Sequence, residues 1–332
     1  MRHTNLSSHN APPVWAQEFP VLGVPVRVEC TDAAVGRVLG AALAVWRQLP
    51  PALRADAGVR LRVIVLDDQE GSADAASFAH RLVDVDRLFI QAPGSVGCAD
   101  VGRGDGIALV ARRLAGDAEM LLTGMIEPLT LFLVSALDRQ PVHCAGLVRR
   151  GRLVLLAGPP GVGKSTMACA GLLRRWGVMA EDIVWVQQQP QFRVWGHTGA
   201  IKLPPEAIQH FPQLADHRLD IHPVSLGAES KVFVDVPLDL RPFPPVAHEG
   251  TLVLLERGPA ARLEPVDRGA LLSEMTAALQ PGFDRFPDAV PAVVEGIGRE
   301  GGWRLAMGPD PLEAVGLLEA VIDRASGATS PA

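Results

Sequence analysis

The stretch that decides the fold is residues 152–186, RLVLLAGPPGVGKSTMACAGLLRRWGVMAEDIVWV. It opens with an apolar run typical of a buried strand (152–157) and continues through a glycine-rich segment (158–163). Apolar residues at helical spacing follow (165–176), and a second apolar run (178–186) predicts another strand. Strand, glycine loop, helix and strand in this order predict an α/β fold.

The glycine-rich segment runs into Lys164 and Ser165 and matches G-x-x-x-x-G-K-[ST] in full. Backbone N–H groups of such a loop point into one concavity that holds an anion, and the start of the helix adds a positive dipole end. In this motif the lysine reaches the β- and γ-phosphates and the serine hydroxyl ligates Mg²⁺. The alternative is a glycine turn that only joins a strand to a helix. The predicted ATP-binding residues are Gly158, Pro159, Pro160, Gly161, Val162, Gly163, Lys164, Ser165 and Thr166.

Three acidic positions are candidates for the carboxylate that such a site needs. VIVLDD (63–68) precedes the loop, so we assign it to a strand of a first domain. The second candidate is Glu256, which ends the run TLVLLE. The alternative is that this run is a central strand whose carboxylate only lies at the rim of the sheet. Glu181 and Asp182 come seventeen and eighteen residues after Lys164. One acid of this pair can hold Mg²⁺ and the other can accept a proton from an attacking hydroxyl; an acidic turn is the alternative.

Composition excludes several classes of protein. Lys plus Arg is 31 and Asp plus Glu is 37, a net charge of 31 − 37 = −6, which argues against a nucleic-acid partner. The chain contains no Tyr, and its four cysteines are too scattered for a disulfide framework or a zinc finger. The apolar stretch 121–137 contains Glu127 and Pro128, so no transmembrane helix is predicted. With no apolar leader at the N-terminus, we expect a cytoplasmic protein and no membrane partner.

The pattern along 332 residues predicts two domains. A smaller N-terminal α+β domain covers 14–138, and the P-loop catalytic domain covers 139–325. Residues 1–13 and 326–332 are predicted to be flexible tails. Helices are expected near 165–176, 267–280 and 310–323, and the Pro-rich patches 241–245 and 287–291 are expected to be loops.

Two segments carry a family resemblance. PVHCAGLVRRGRLVLLAGPPGVGKST (141–166) and RRWGVMAEDIVWV (174–186) resemble the catalytic domain of HPr kinase/phosphorylase and its stand-alone relatives. That family shares its nucleotide core with ATP-dependent phosphoenolpyruvate carboxykinase. His143 and Asp182 stand at the family's spacings, and Glu181 replaces the first Asp of its Ala-Asp-Asp motif. The resemblance therefore implies a P-loop core of the HPr kinase/carboxykinase type, whereas the N-terminal domain does not match.

The resemblance implies a role for each matching residue. Lys164 and the loop amides would bind phosphates, and Ser165 would bind Mg²⁺ with support from Glu181. Asp182 would accept the proton of the substrate hydroxyl, and His143 would lie beside the transferred phosphoryl group. Taken by itself, a histidine between apolar residues is typical of a buried structural side chain. The other histidines have no metal-ligand spacing.

The sequence departs from the family downstream of 186. The family's segment rich in Glu-x-Arg-Gly-x-Gly is missing, and residues 197–211 are HTGAIKLPPEAIQHF. This argues against HPr as the substrate and leaves a second metal ligand unassigned. A phosphoryl group in transfer needs a second cation besides the loop lysine, and we prefer Lys231 for this role. The alternative is that Lys231 is only a solvent-exposed lysine at a strand edge. The other cations of this region are Lys202, Arg218 and Arg241.

These observations favour an ATP-dependent kinase that phosphorylates a serine-like hydroxyl of a protein, peptide or small molecule, with Asp182 as the base and ATP and Mg²⁺ as cofactors. The alternative is a nucleotide-binding regulatory or ATPase module without an acceptor. A carboxykinase-like enzyme would need a His/Lys metal set around its second substrate, which the sequence lacks. Members of the family often form multimers, so a monomer and a homo-oligomer both stay open.

Overall fold

The computed structural model describes residues 12–67, 78–197, 199–212, 214, 221–226, 229–279 and 284–327. The chain divides into two compact units between Arg139 and Gln140. Both units combine helices with β-sheet, so the expected α/β class is confirmed as a mixed α/β fold. Most of the two expected tails lies outside the described residues, but 326–327 belong to the last helix.

The first unit is built on one seven-stranded mixed sheet of order β1-β2-β3-β7-β6-β5-β4, in which β2, β3 and β7 run parallel. Leu22 and Gly23 join β1 to β2 with φ of 50° and 81°, the backbone that a tight hairpin requires. The Asp32 carboxylate accepts the N–H groups of Ala34 and Val35 and so begins α1. Its elements are β1 (Trp15–Val21), β2 (Val24–Cys30), α1 (Ala33–Ala42), β3 (Val59–Leu66), β4 (Ala79–Val83), β5 (Arg87–Ala92), β6 (Ser95–Asp100), β7 (Asp105–Ala111), α2 (Arg112–Ala115), α3 (Ala118–Leu121) and α4 (Glu127–Ser135).

The helical stretch from Ala118 to Ser135 is long and apolar. A π-turn at Leu122–Ile126 separates α3 from α4, just before Pro128, whose missing N–H cannot continue an α-helical ladder. The stretch is long and apolar enough to span a bilayer by length and composition, in contrast to the expectation from sequence, and half of it is buried within the structure. Leu129 packs on the sheet where Gly97 leaves room, since a Cβ at Gly97 would lie 2.8 Å from Leu129 Cδ1.

The second unit contains the deciding stretch. Its elements are β8 (Gln140–Val142), β9 (Cys144–Arg149), β10 (Arg152–Ala157), α5 (Lys164–Leu173), β11 (Gly177–Ala180), β12 (Val184–Gln187), β13 (Arg193–Trp195), β14 (Ala200–Leu203), β15 (Ile221–Leu226), β16 (Glu229–Asp235), β17 (Val246–Ala247), β18 (Gly250–Arg257), β19 (Arg262–Val266), α6 (Arg268–Ala277), α7 (Ala289–Ile297), β20 (Gly302–Met307) and α8 (Pro311–Gly327).

Helices cover both faces of the central six-stranded sheet, whose order is β11-β9-β10-β18-β20-β19. Strands β10, β18 and β20 run parallel at its centre. Because successive side chains of a strand face opposite sides, Val154 packs in a core with α5 and α8 while Leu155 packs with α6 and α7. Two smaller antiparallel sheets flank it, with orders β17-β13-β12-β8 and β14-β16-β15.

Two local expectations were wrong. The single strand expected over 178–186 is broken at Glu181–Ile183, because β11 pairs with β9 in the central sheet whereas β12 pairs with β8 and β13 in another. The loop expected over 287–291 contains the start of α7. Pro291 sits in the first turn of that helix, where its missing N–H costs no intrahelical bond.

Candidate functional site

The glycine loop lies at the carboxyl end of β10, directly before α5. Gly163 has φ of 121°, a backbone conformation closed to other residues, and a Cβ there would lie 2.3 Å from Met307 Cε. Gly163 also stands at the N-cap, where no side chain caps the first N–H groups of α5. These N–H groups and the helix dipole can therefore bind an anion.

Lys164 turns back over the loop that precedes it. Its Nζ donates to the carbonyl oxygens of Gly158 (2.9 Å) and Pro159 (3.4 Å), and the residue is 9% exposed. A buried ammonium needs such partners, because its desolvation would otherwise cost on the order of several kcal/mol. The lysine thus places a positive charge at the glycine loop.

Ser165 and Glu181 meet beside this lysine. The Ser165 hydroxyl donates to Glu181 Oε1 at 2.6 Å, and Glu181 is 8% exposed. Burial raises the pKa of the Glu181 carboxyl above its usual value, as does the charge of Asp182, whereas the Ser165 hydrogen bond and Lys202 act in the opposite direction. A hydroxyl and a carboxylate oxygen thus converge at one point, which is the donor type that Mg²⁺ prefers.

Asp182 is exposed, in contrast to its neighbour Glu181. The turn between β11 and β12 places it on the wall of a cavity of about 780 Å³ that also holds Lys164 and Ser165. A carboxylate that solvent and substrate can both reach is suited to proton transfer. The cavity is lined by His143, Pro160, Gly161, Val162, Gly163, Lys164, Ser165, Thr166, Asp182, Pro204, Glu206, Ala207, His210, Arg257, Gly258, Pro259, Met307, Gly308, Pro309 and Pro311.

His143 lies between β8 and β9 and reaches the same cavity. Its Nδ1 is 2.9 Å from Oδ1 of Asp284, whose side chain is 8% exposed. A carboxylate on one ring nitrogen fixes the orientation of an imidazole. Asp284 was not predicted as a site residue, because nothing in the sequence before α7 marks a residue that approaches β8 and β9.

The structure brings most, but not all, of the expected residues together. Gly158 borders a smaller cavity of about 30 Å³ beside His143, and Pro159 contacts Lys164. Lys231 lies on β16 and is not among the described residues that line the 780 Å³ cavity. Arg218 lies outside the described residues.

Arg257 lines the cavity, although it was not predicted as a site residue. The run TLVLLE had drawn attention to Glu256, the preceding residue, whose carboxylate lies 3.9 Å from Arg304. The signal that would have found Arg257 is its place at the end of a strand that runs parallel to β10. Glu206 and His210, from the segment that departs from the family pattern, line the cavity as well.

Replacing Glu181 with glutamine is expected to stabilise the metal-free protein at neutral pH. A native carboxyl with a raised pKa binds its proton more tightly than the unfolded chain does, so stability falls as pH rises from the unfolded pKa through the native one. Glutamine keeps an oxygen that can accept the Ser165 hydroxyl and carries no charge. Thermal melts in EDTA between pH 4 and 8, roughly the window around a perturbed carboxyl, measure the effect. The exposed Glu300→Gln is the matched control, and an unchanged pH dependence in Glu181→Gln would contradict this account.

Comparison with known proteins leaves the family open. No protein family model matches the chain, and no curated protein does. Among solved structures, the Hpr(Ser) kinase/phosphatase from Coxiella burnetii is similar over 57% of this chain and 97% of its own, with 14% identity and a TM-score of 0.27. What this site does is therefore inferred from its own residues.

Proposed function

We propose that this protein is an ATP-dependent kinase that transfers the γ-phosphoryl group to a hydroxyl of a protein, peptide or small molecule. One observation carries the proposal: a single cavity is lined by the uncapped start of α5, by Lys164 and Ser165, and by the exposed carboxylate of Asp182. The first three suit a polyphosphate, and the last suits the proton of an acceptor.

The residues present fit a magnesium nucleotide. Ser165 and Glu181 would hold Mg²⁺, which neutralises phosphate charge when it is bound. Among the residues that the structure describes, no three His, Cys, Asp or Glu side chains form a metal-binding group. Mg²⁺ does not need one, since it is usually held by one or two protein groups together with waters and substrate phosphates.

Asp182 would act as the general base. Its carboxylate would take the proton of the acceptor hydroxyl as that oxygen bonds to the γ-phosphorus and the bond to the β-phosphate oxygen breaks, which leaves ADP. His143, oriented by Asp284, lines the same cavity and would lie beside the transferred group. Glu206 and His210 line the same cavity and would contact the acceptor.

Incubation with γ-labelled ATP and Mg²⁺ tests the proposal. With candidate acceptors of three kinds (free serine, serine peptides and a protein extract), we expect label in an organic or protein product. Label from α-labelled ATP should remain in nucleotide, which controls for nucleotide attachment. Label released only as free phosphate would contradict the kinase and favour the regulatory or ATPase module.

A further inference from the structure

We infer that the nucleoside diphosphate part of the substrate lies over the loops that follow β18 and β20, with Arg257 bound to its α- and β-phosphates. This inference rests on the proposed function and assigns a direction to the nucleotide in the cavity. It names a phosphate-binding residue and an apolar wall that neither the P-loop motif nor the family resemblance supplies.

The order of strands separates the two ends of the cavity. Strand β10, which leads into the glycine loop, lies between β9 and β18 in the central sheet. Asp182 comes two residues after β11, on the β9 side, whereas Arg257 ends β18 on the other side. If the γ-phosphate is directed to Asp182, the rest of the nucleotide must leave the loop toward β18 and β20.

Arg257 is placed to bind phosphates on that side. Its Nη2 donates to the carbonyl oxygen of Gly161 at 2.7 Å, so the guanidinium is held against the loop itself. Its remaining N–H donors have no partner among the described residues, and Arg257 is the one arginine among the described residues that line the cavity. A guanidinium presents five donors in a fixed fork, so one can hold the loop while others bind phosphate oxygens.

The cavity wall beyond Arg257 is apolar, and its two loops are held together by a hydrogen bond and by packing. Gly258 N–H donates to the carbonyl oxygen of Met307 at 3.0 Å, which ties the loop after β18 to the end of β20. Met307 in turn packs against Gly163 of the glycine loop. Nucleoside rings are bound mainly by apolar contact in pre-formed clefts, which this wall provides. The wall residues are Gly258, Pro259, Met307, Gly308, Pro309 and Pro311.

Calorimetric binding of MgATP and MgADP to the wild type, Arg257→Ala and Arg262→Ala tests the inference. Because ADP keeps both phosphates that Arg257 would contact, we expect Arg257→Ala to weaken both nucleotides by the same factor, about ten-fold or more for a charged hydrogen bond. Arg262 is an exposed arginine of β19 outside the cavity lining, and its loss should leave both affinities unchanged. Arg257→Lys keeps the positive charge but lacks the forked donors of the guanidinium, so it should bind both nucleotides with intermediate affinity. This variant replaces Arg257→Ala in the test if the alanine variant does not fold.

The outcomes separate this inference from the proposed function. Weakened ATP binding with unchanged ADP binding would place Arg257 on the γ-phosphate and overturn the inferred direction of the nucleotide. Unchanged binding of both nucleotides to a folded Arg257→Ala would overturn its role while leaving the kinase proposal intact. A wild type that binds neither nucleotide would contradict the proposed function, and the inference with it.

Discussion

Asp182→Asn is expected to lower turnover by at least about 100-fold, which is the rate enhancement that a positioned general base usually contributes. Asparagine has nearly the same shape but cannot take a proton from the acceptor hydroxyl. Asp182 is exposed on the cavity wall, so the substitution leaves the buried contacts of the fold in place. Affinity for MgATP should stay within about three-fold, because a lost interaction made only in the transition state lowers kcat and spares ground-state binding.

Transfer of labelled phosphate and calorimetric MgATP binding, measured on the same preparation, check both halves of this expectation. Asp288→Asn is the matched control, since Asp288 is exposed and lies outside the cavity lining. Full activity in Asp182→Asn would remove the general base from the mechanism. An equal loss of turnover and MgATP affinity would instead assign Asp182 to nucleotide binding.

Lys164→Ala is expected to weaken MgATP binding by about ten-fold or more and to stop measurable transfer. Its ammonium is held by the carbonyl oxygens of Gly158 and Pro159, so it lies within the loop that would receive the phosphates. Alanine removes the charge and leaves the uncapped N–H groups of α5 in place. Residual weak binding through these groups is therefore part of the expected result.

Fluorescence titration with a labelled ATP analogue measures the affinity, and the melting temperature confirms that the variant is folded. Arg299→Ala is the control, because it removes one exposed cation whose described ion pair is with Glu295. MgATP affinity equal to that of the wild type would show that Lys164 does not contact phosphate.

The local pattern of the deciding stretch predicted its first half well. The expected strand 152–157 is β10, and the expected helix 165–176 overlaps α5, which ends at Leu173. These elements are encoded by contiguous apolar periodicity and by glycines at the turn. The second half failed, because nothing in the apolar run 178–186 shows that its two ends pair with strands of different sheets.

The candidate site was only partly predictable for the same reason. Lys164, Ser165, Glu181 and Asp182 lie in one short stretch whose motif and spacing mark them. Arg257 and Asp284 come from segments far downstream of this stretch, and they reach the site through the order of strands and the position of α7. Sequence spacing alone does not carry that information.

The break between β11 and β12 places the neighbouring carboxyls of Glu181 and Asp182 in different surroundings. In one continuous strand, residues 181 and 182 would face the two sides of a single layer. At the corner between two sheets, Glu181 is instead enclosed and Asp182 open. Burial therefore raises the pKa of Glu181 while the neighbouring Asp182 stays open to the cavity, and a shortened or lengthened corner would remove that difference in surroundings.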